Sequence, residues 1–364
     1  MAKDRYFYYL FLINALLNIV NFVPKGLING RFDGSMASIM VAVPLGLLFT
    51  YLFGKVMGKF PSTGVPEIYN QYLPKPLSLP LLLMFAVLWF IAGLITLLAF
   101  VEITLRYISM DVEPLTVLVL FLMVVCISMR INTESILYGL EVLLFLNFPI
   151  IGYILFKSLL NPQFNWNAVL EIVTHSAHWP SFGGVATATF VFSGYANLAI
   201  FNRVLKNVNF KLLWLLGISG FLVLLTSFLI PIGYLGTINV DRHVYPWFST
   251  ADVLRTKNFV IERVLFLFYF NYLMLSLAST ILHWHISLNM IKGMFASKKR
   301  KKPKRSFDWW VIILFSGFTF AAQTANQFKL DQFGQLFLDV RFGGEGILIL
   351  SVYLAYRRRK QRQA

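Results

Sequence analysis

Apolar residues run along this chain in blocks of about 20, separated by short polar stretches, and the rhythm recurs from one end to the other. A helix needs about 20 apolar residues to cross the hydrocarbon core of a bilayer. The blocks predict an all-α integral membrane protein with ten transmembrane helices, over 6–23, 35–57, 78–107, 114–131, 134–159, 182–201, 210–235, 260–293, 308–325 and 340–356. Longer polar stretches lie at 58–77, 160–181, 236–259 and 294–307. None is rich enough in Gly or Ser to divide the chain, so residues 1–364 read as a single polytopic membrane domain. Pro66–Leu73 predicts a short interfacial helix. Phe248–Asn258 opens with Ser249 as a cap and Asp252 three residues on, the pattern of a helix start at the outer surface. The N-terminus resembles a signal peptide for a few residues, but no small-residue cleavage site follows, and a retained first helix is expected.

Composition sharpens this picture. Hydrophobic residues make up 58% of the chain and charged ones 13%, against about 25% charged in a soluble domain. The net charge of +16 is concentrated at Lys298–Arg305 and Arg357–Arg362. Both clusters adjoin apolar spans, where they fix topology and meet anionic headgroups, so a lipid bilayer rather than nucleic acid is the expected partner. With ten spans and the N-terminus inside, inner segments hold 22 of the 32 basic residues, which puts both termini in the cytoplasm. Dropping one span would put the two clusters on opposite sides. The single cysteine, Cys126, rules out an intrachain disulfide and reads as a packed thiol.

Polar residues inside spans are the first place to look for function. Asn14, Asn18, Asn21 and Lys25 follow one another at steps of four, three and four, which lines one face of the first span. That stripe is either part of a site or polar glue between helices. Pro24 is expected to end or kink the helix. In the sixth span Thr187, Thr189, Ser193, Gly194, Tyr195 and Asn197 cluster, and Ser193-Gly194 is a candidate unwinding point; a small-residue packing face is the alternative. The eighth span carries Ser276, Ser279, Thr280, His283 and Ser287 at helical spacing. His283 sits near mid-bilayer, as a proton-handling group or a hydrogen-bonded core histidine; His285 faces elsewhere, into packing.

Other charged positions carry less. Glu102 and Arg106 are expected to pair with each other, whereas Glu141 has no local partner in the sequence. His175 and His178 alone make a weak metal signal. No nucleophile elbow, P-loop, dinucleotide fingerprint or zinc-protease motif occurs, so neither catalysis, nor a metal, nor a cofactor is expected.

Ten spans with breaks in the first and sixth suggest a five-plus-five inverted repeat holding a ligand at mid-membrane, with freed backbone N–H groups suited to a carboxylate. Phe60-Pro-Ser-Thr-Gly-Val-Pro-Glu-Ile-Tyr69, Phe192-Ser-Gly-Tyr195, and Tyr245-Pro246 followed by Glu262-Arg263 resemble the spore germination permeases. These are the B subunits of Ger-type germinant receptors, within the amino acid/polyamine/organocation transporter superfamily. The resemblance implies a nutrient-sensing subunit in the spore inner membrane of an endospore-forming bacterium. It would bind a small nutrient such as an amino acid, beside an A-type membrane subunit and a C-type lipoprotein. Two positions depart from the family's habit. Leu17-Asn18-Ile19 stands where glycines often precede the first-span proline, and Ala196 stands where an acidic residue is common. The candidate ligand-binding residues are Asn18, Asn21, Thr189, Ser193, Gly194, Tyr195, Ser279 and His283. A secondary amino-acid transporter coupled to H⁺ or Na⁺ is the alternative reading, with Ser279 and Thr280 as hydroxyls for a sodium ion. An intramembrane enzyme built on His283 or Glu141 has no supporting constellation.

Overall fold

A computed structural model describes residues 5–20, 22–109, 111–205, 208–255, 263–295, 306–324 and 327–363. Asn21, Glu262 and the basic cluster at 298–305, all singled out above, lie outside the described residues. The helices are α1 (Tyr6–Leu17), α2 (Phe22–Asn29), α3 (Ser35–Met57), α4 (Val65–Tyr72), α5 (Lys75–Tyr107), α6 (Pro114–Ser128), α7 (Thr133–Leu159), α8 (Trp166–Thr174) and α9 (Phe182–Thr189). They continue as α10 (Leu198–Phe201), α11 (Leu213–Leu235), α12 (Pro246–Val253), α13 (Val264–Phe295), α14 (Phe307–Gln323) and α15 (Gln327–Gln363), with a 3₁₀ stretch over Phe190–Asn197 between α9 and α10.

Among the described residues six helices are long and apolar enough to cross a membrane, taking Phe182–Phe201 (α9, the 3₁₀ stretch and α10) as one, and a seventh follows if α1 and α2 count as one bent span. The expected fourth and ninth spans form shorter apolar helices, α6 of 15 residues and α14 of 17. The expected tenth span extends at both ends into a 37-residue helix, about 55 Å long at 1.5 Å per residue. Its apolar run is flanked by Arg341 and Glu345 on one side and by Arg357–Arg362 on the other.

Local chemistry explains most boundaries. The first span breaks after Leu17 and resumes at Phe22, bent by 57°. Pro24 lies in the first turn of α2, where a missing N–H costs nothing, and its ring would clash with the Val20 carbonyl of a continuous helix. The break therefore falls one turn before the proline. At Ser193-Gly194, the candidate unwinding point, the sixth span does not unwind; it tightens into eight residues of 3₁₀ helix, buried from Val191 to Asn197. Helix α12 begins at Pro246, earlier than the Ser249 cap suggested, because proline is pre-set for the first helical position. Ser249 lies inside it and instead meets His243 Nδ1 at 2.9 Å. Asn165 caps α8, a helix within the polar stretch at 160–181, by accepting from the N–H groups of Asn167 and Ala168.

Glycines let the helices close up. Helices α5 and α13 share the most extensive helix–helix contact. Trp284 is fully buried there, and its Nε1 donates to the Phe90 carbonyl at 3.2 Å. A Cβ on Gly93 would stand 2.4 Å from the Trp284 ring. Phe192, from the 3₁₀ stretch, is wedged between α3 and α11, where a Cβ on Gly46 or Gly220 would come within 2.4 or 2.5 Å of it.

Polar contacts close the two ends of α3. At one end Lys25 Nζ donates to the carbonyls of Asp241 and His243, while Arg31 binds the Thr237 carbonyl at 2.5 Å and the Asp241 carboxylate at 3.2 Å. At the other, Arg203 pairs with Glu67 at 2.8 Å and with Asn289 at 2.7 Å, and Asn202 donates to the carbonyls of Phe60 and Thr63.

Overpacking a tight helix contact costs about 1–3 kcal/mol. Gly93→Leu is expected to lower the thermal midpoint of the detergent-solubilised protein by several degrees, followed by fluorescence-detected size exclusion. An unchanged midpoint would contradict the close approach of α5 and α13.

Candidate functional site

The 3₁₀ stretch defines the centre of the molecule. Helices α1, α3 and α11 pack on it, and a cavity of about 50 Å³ is bordered by it and by α1, α5, α13 and α15. Its polar border is Asn14, Ser193, Asn197, His283, Arg341 and Glu345, and its apolar border includes Phe85, Trp89, Ala92, Phe190, Ala196 and Phe337.

Each polar side chain is held by a different element. Asn14 reaches across from α1 to donate to the carbonyls of Phe190 at 2.6 Å and Val191 at 3.3 Å. Trp89 Nε1 donates to Asn197 Oδ1 at 3.0 Å, tying α5 to the end of the 3₁₀ stretch. His283 Nδ1 lies 2.7 Å from the Ser279 carbonyl. A carbonyl can only accept, so Nδ1 carries the proton and Nε2 of the neutral ring is left as an acceptor.

Arg341 is the hub. It is 5% exposed, and its guanidinium binds Ser193 Oγ at 2.8 Å, Thr189 Oγ1 at 3.4 Å, the Ala186 carbonyl and the Glu345 carboxylate at 3.1 Å. Its face lies over the Phe190 ring at 4.9 Å. Glu345, equally buried, also accepts from the Tyr195 hydroxyl at 2.9 Å. The pair is neutral as a unit, which is the condition for keeping two charges at this depth. One donor remains open: Arg341 Nε has no acceptor among the described residues. An unmet buried donor costs about 1–3 kcal/mol, more on a charged group.

Of the candidate ligand-binding residues, Ser193 and His283 border the cavity. Thr189 and Tyr195 stand one contact behind it, through Arg341 and Glu345. Ser279 holds His283 in place. Asn18 is buried one turn away, donating to the Asn14 carbonyl, with its own Oδ1 unmet among the described residues. Gly194 faces the backbone of α1, not the cavity: a Cβ there would lie 2.4 Å from the Leu10 carbonyl oxygen. Its role is close helix contact, so even a methyl forces α1 and the sixth span apart. Asn21 lies outside the described residues.

Three residues in the sequence reading carry a different part. Glu141 has partners, the Tyr6 hydroxyl at 2.5 Å and the Arg5 guanidinium, and ties α7 to the start of α1. Glu102 does bind Arg106, at 3.6 Å, and also accepts from Tyr245 at 2.8 Å. His285 is a packing residue, bonded to the Met129 carbonyl and Thr133. The sequence reading missed Arg341, Glu345 and Trp89 altogether. The signal was present: an Arg and a Glu four residues apart at the head of an apolar run.

A family model described as spore germination protein (Spore_permease) matches residues 29–328. No curated protein matches the chain.

In a Cys126→Ala background, Ala196→Cys and Asn14→Cys are expected to react with a small water-soluble methanethiosulfonate, because both positions border the cavity. Asn18→Cys and Ser279→Cys are expected to stay unlabelled over the same time. Equal labelling of all four would refute the cavity's outline.

Proposed function

The chain belongs to the spore germination protein family, and from that premise we propose that it is the permease-like, nutrient-sensing subunit of a germinant receptor. The family is of permease type and not an enzyme family. The observation that carries the reading is the polar cavity at the centre of the helices, bordered by a 3₁₀ interruption of the sixth span. Irregular backbone inside a membrane is tolerated where protein buries it or where it lines a cavity, and such places are where permeases hold their ligands. The ligand in this reading is a small nutrient such as an amino acid.

The same proposal carries the membrane arrangement. Ten spans, with both termini cytoplasmic and two inverted halves of five, are supported by the paired interruptions in the first and sixth spans and by the basic residues at the ends. Helices α6 and α14 then cross with help from flanking residues, and α15 crosses with its charged pair facing the bundle. The spore inner membrane is the compartment, and an A-type membrane subunit and a C-type lipoprotein are the partners. The second reading, a transporter coupled to H⁺ or Na⁺, uses the same cavity and differs in whether the ligand passes through.

Ala196→Leu adds three carbons to the cavity wall without removing a polar group. In spores carrying it as the only copy, at normal abundance, the nutrient concentration for half-maximal germination is expected to rise at least about tenfold. A normal response would move the ligand site elsewhere. Ligand flux into proteoliposomes of the purified chain would decide for the transporter.

A further inference from the structure

In the ten-span arrangement two helices are shorter than the layer they cross. At 1.5 Å per residue α6, with 15 residues, is about 22 Å long and α14, with 17, about 25 Å, against a hydrocarbon core of about 30 Å. Their inner ends are level. Asp308, in the first turn of α14, holds Lys292 of α13 at 2.6 Å and Arg130, two residues beyond α6, at 3.9 Å. The Arg130 guanidinium also lies over the Trp309 ring at 4.4 Å. The shortfall is therefore at the outer ends, Pro114 and Gln323, which stand between the much longer α5 and α15.

A groove occupies that place. Two adjoining hollows of about 200 and 300 Å³ share Leu98, Ala322 and Leu330. Pro114, Gln323 and Leu105 border the first, and Leu94 and Phe333 the second. From Leu94 to Leu105 the groove follows α5 for about 16 Å, close to the hydrocarbon depth of one leaflet. Beyond Leu94 its floor is closed, where the Phe90 ring of α5 meets the Phe315 ring of α14 at 4.4 Å. The walls are largely apolar, with one acid and one base among the described lining residues, Glu102 and Lys329. The Glu102 carboxylate is engaged by Tyr245 and Arg106. Lys329 stands one turn nearer the outer end of α15 than Phe333.

We propose that this groove holds one phospholipid of the outer leaflet, with an acyl chain along α5 and the phosphate at Lys329, an assignment that rests on α6 and α14 crossing the membrane. Shape selects the occupant. A partner's transmembrane helix is about 10 Å across and needs a channel through the whole layer, whereas this groove stops half-way, on the Phe90–Phe315 contact. An extended acyl chain is thin and ends within one leaflet. Charge agrees: a lysine lays its methylenes along an apolar wall while its ammonium reaches headgroup level, and a cation at the rim of an apolar groove between helices complements a phosphate on hydrocarbon tails. Glu102 and Leu330 also border a smaller cavity beside Lys25 and Tyr245, so the lipid stands one side chain away from α2, the outer half of the broken first span.

The test titrates dioleoyl phosphatidylglycerol into the purified full chain in detergent and counts retained lipid by native mass spectrometry. Retention is expected to saturate at one lipid per chain, and dioleoylglycerol, which has the same tails and no phosphate, should bind about fivefold more weakly. Ala322→Trp fills the groove and should weaken retention at least about tenfold. Lys329→Gln leaves the apolar wall intact and should weaken it about fivefold, while Lys329→Arg keeps the charge and should match the parent. Unsaturable retention, dioleoylglycerol equal to the phospholipid, or parent-like binding by either Ala322→Trp or Lys329→Gln would each overturn the site. A second polypeptide that purifies with the parent and is lost from Ala322→Trp would give the groove to a protein instead. In a Cys126→Ala background, Val112→Cys is expected to react with an impermeant maleimide in intact cells. Reaction only after permeabilisation would refute the span arrangement itself, whereas reaction without lipid retention refutes the groove alone.

Discussion

A polar group carried into an apolar layer must find its partner inside the chain, and that requirement organises this molecule. Most hydroxyls meet it locally. Thr50, Thr96, Ser158 and Thr319 each bond the carbonyl four residues back on their own helix. Such groups say little about function, because a helix can carry them without a neighbour. Side chains that must cross to another element are different. Asn14, Trp89 and Arg341 reach carbonyls, an amide oxygen and hydroxyls of the sixth span, and together they hold its 3₁₀ interior in the middle of the bundle. The cavity exists because those crossings leave a gap that no apolar side chain fills.

The same requirement explains why the cavity lies between two polar closures. Lys25 and Arg31 bind backbone carbonyls of the 236–243 segment at one end of α3, and Arg203 and Asn202 bind the 60–67 segment at the other. Backbone carbonyls make weak but numerous acceptors, and releasing them to water costs little. Both ends also carry an ion pair, Arg31 with Asp241 and Arg203 with Glu67, each with one partner more than 40% exposed, whereas both members of the Arg341–Glu345 pair are buried and cannot separate so cheaply.

Much of this was legible in the residues. Apolar run lengths located the long helices, and Pro24 located the first-span break to within a turn. The Ser279–His283 spacing located a histidine at the cavity. What stayed hidden depends on which helix faces which. Asn18 and Asn14 share a stripe, but only contact with the sixth span decides that Asn14 borders the cavity. Gly194 looked like ligand space and proved to be contact space, since a sequence shows the absence of a side chain and not what fills the gap. Arg341 was overlooked for another reason. Both Arg341 and Glu345 fall inside the expected 340–356 span, but a charge at the end of a span reads as a headgroup contact, and only the packing of α15 against the sixth span shows that the pair is buried.

The seat of Phe192 has an evolutionary consequence. Its ring fills the space that side chains on Gly46 and Gly220 would need, so three positions, from three different helical segments, are sterically one unit. A larger residue at either glycine is tolerable only after the ring shrinks, and a smaller residue at 192 leaves a void unless a glycine grows to fill it. Each single step passes through a less stable protein. Related chains should therefore either keep the trio or exchange its members in concert, and drift at this wedge should be slow even though none of the three carries charge or chemistry.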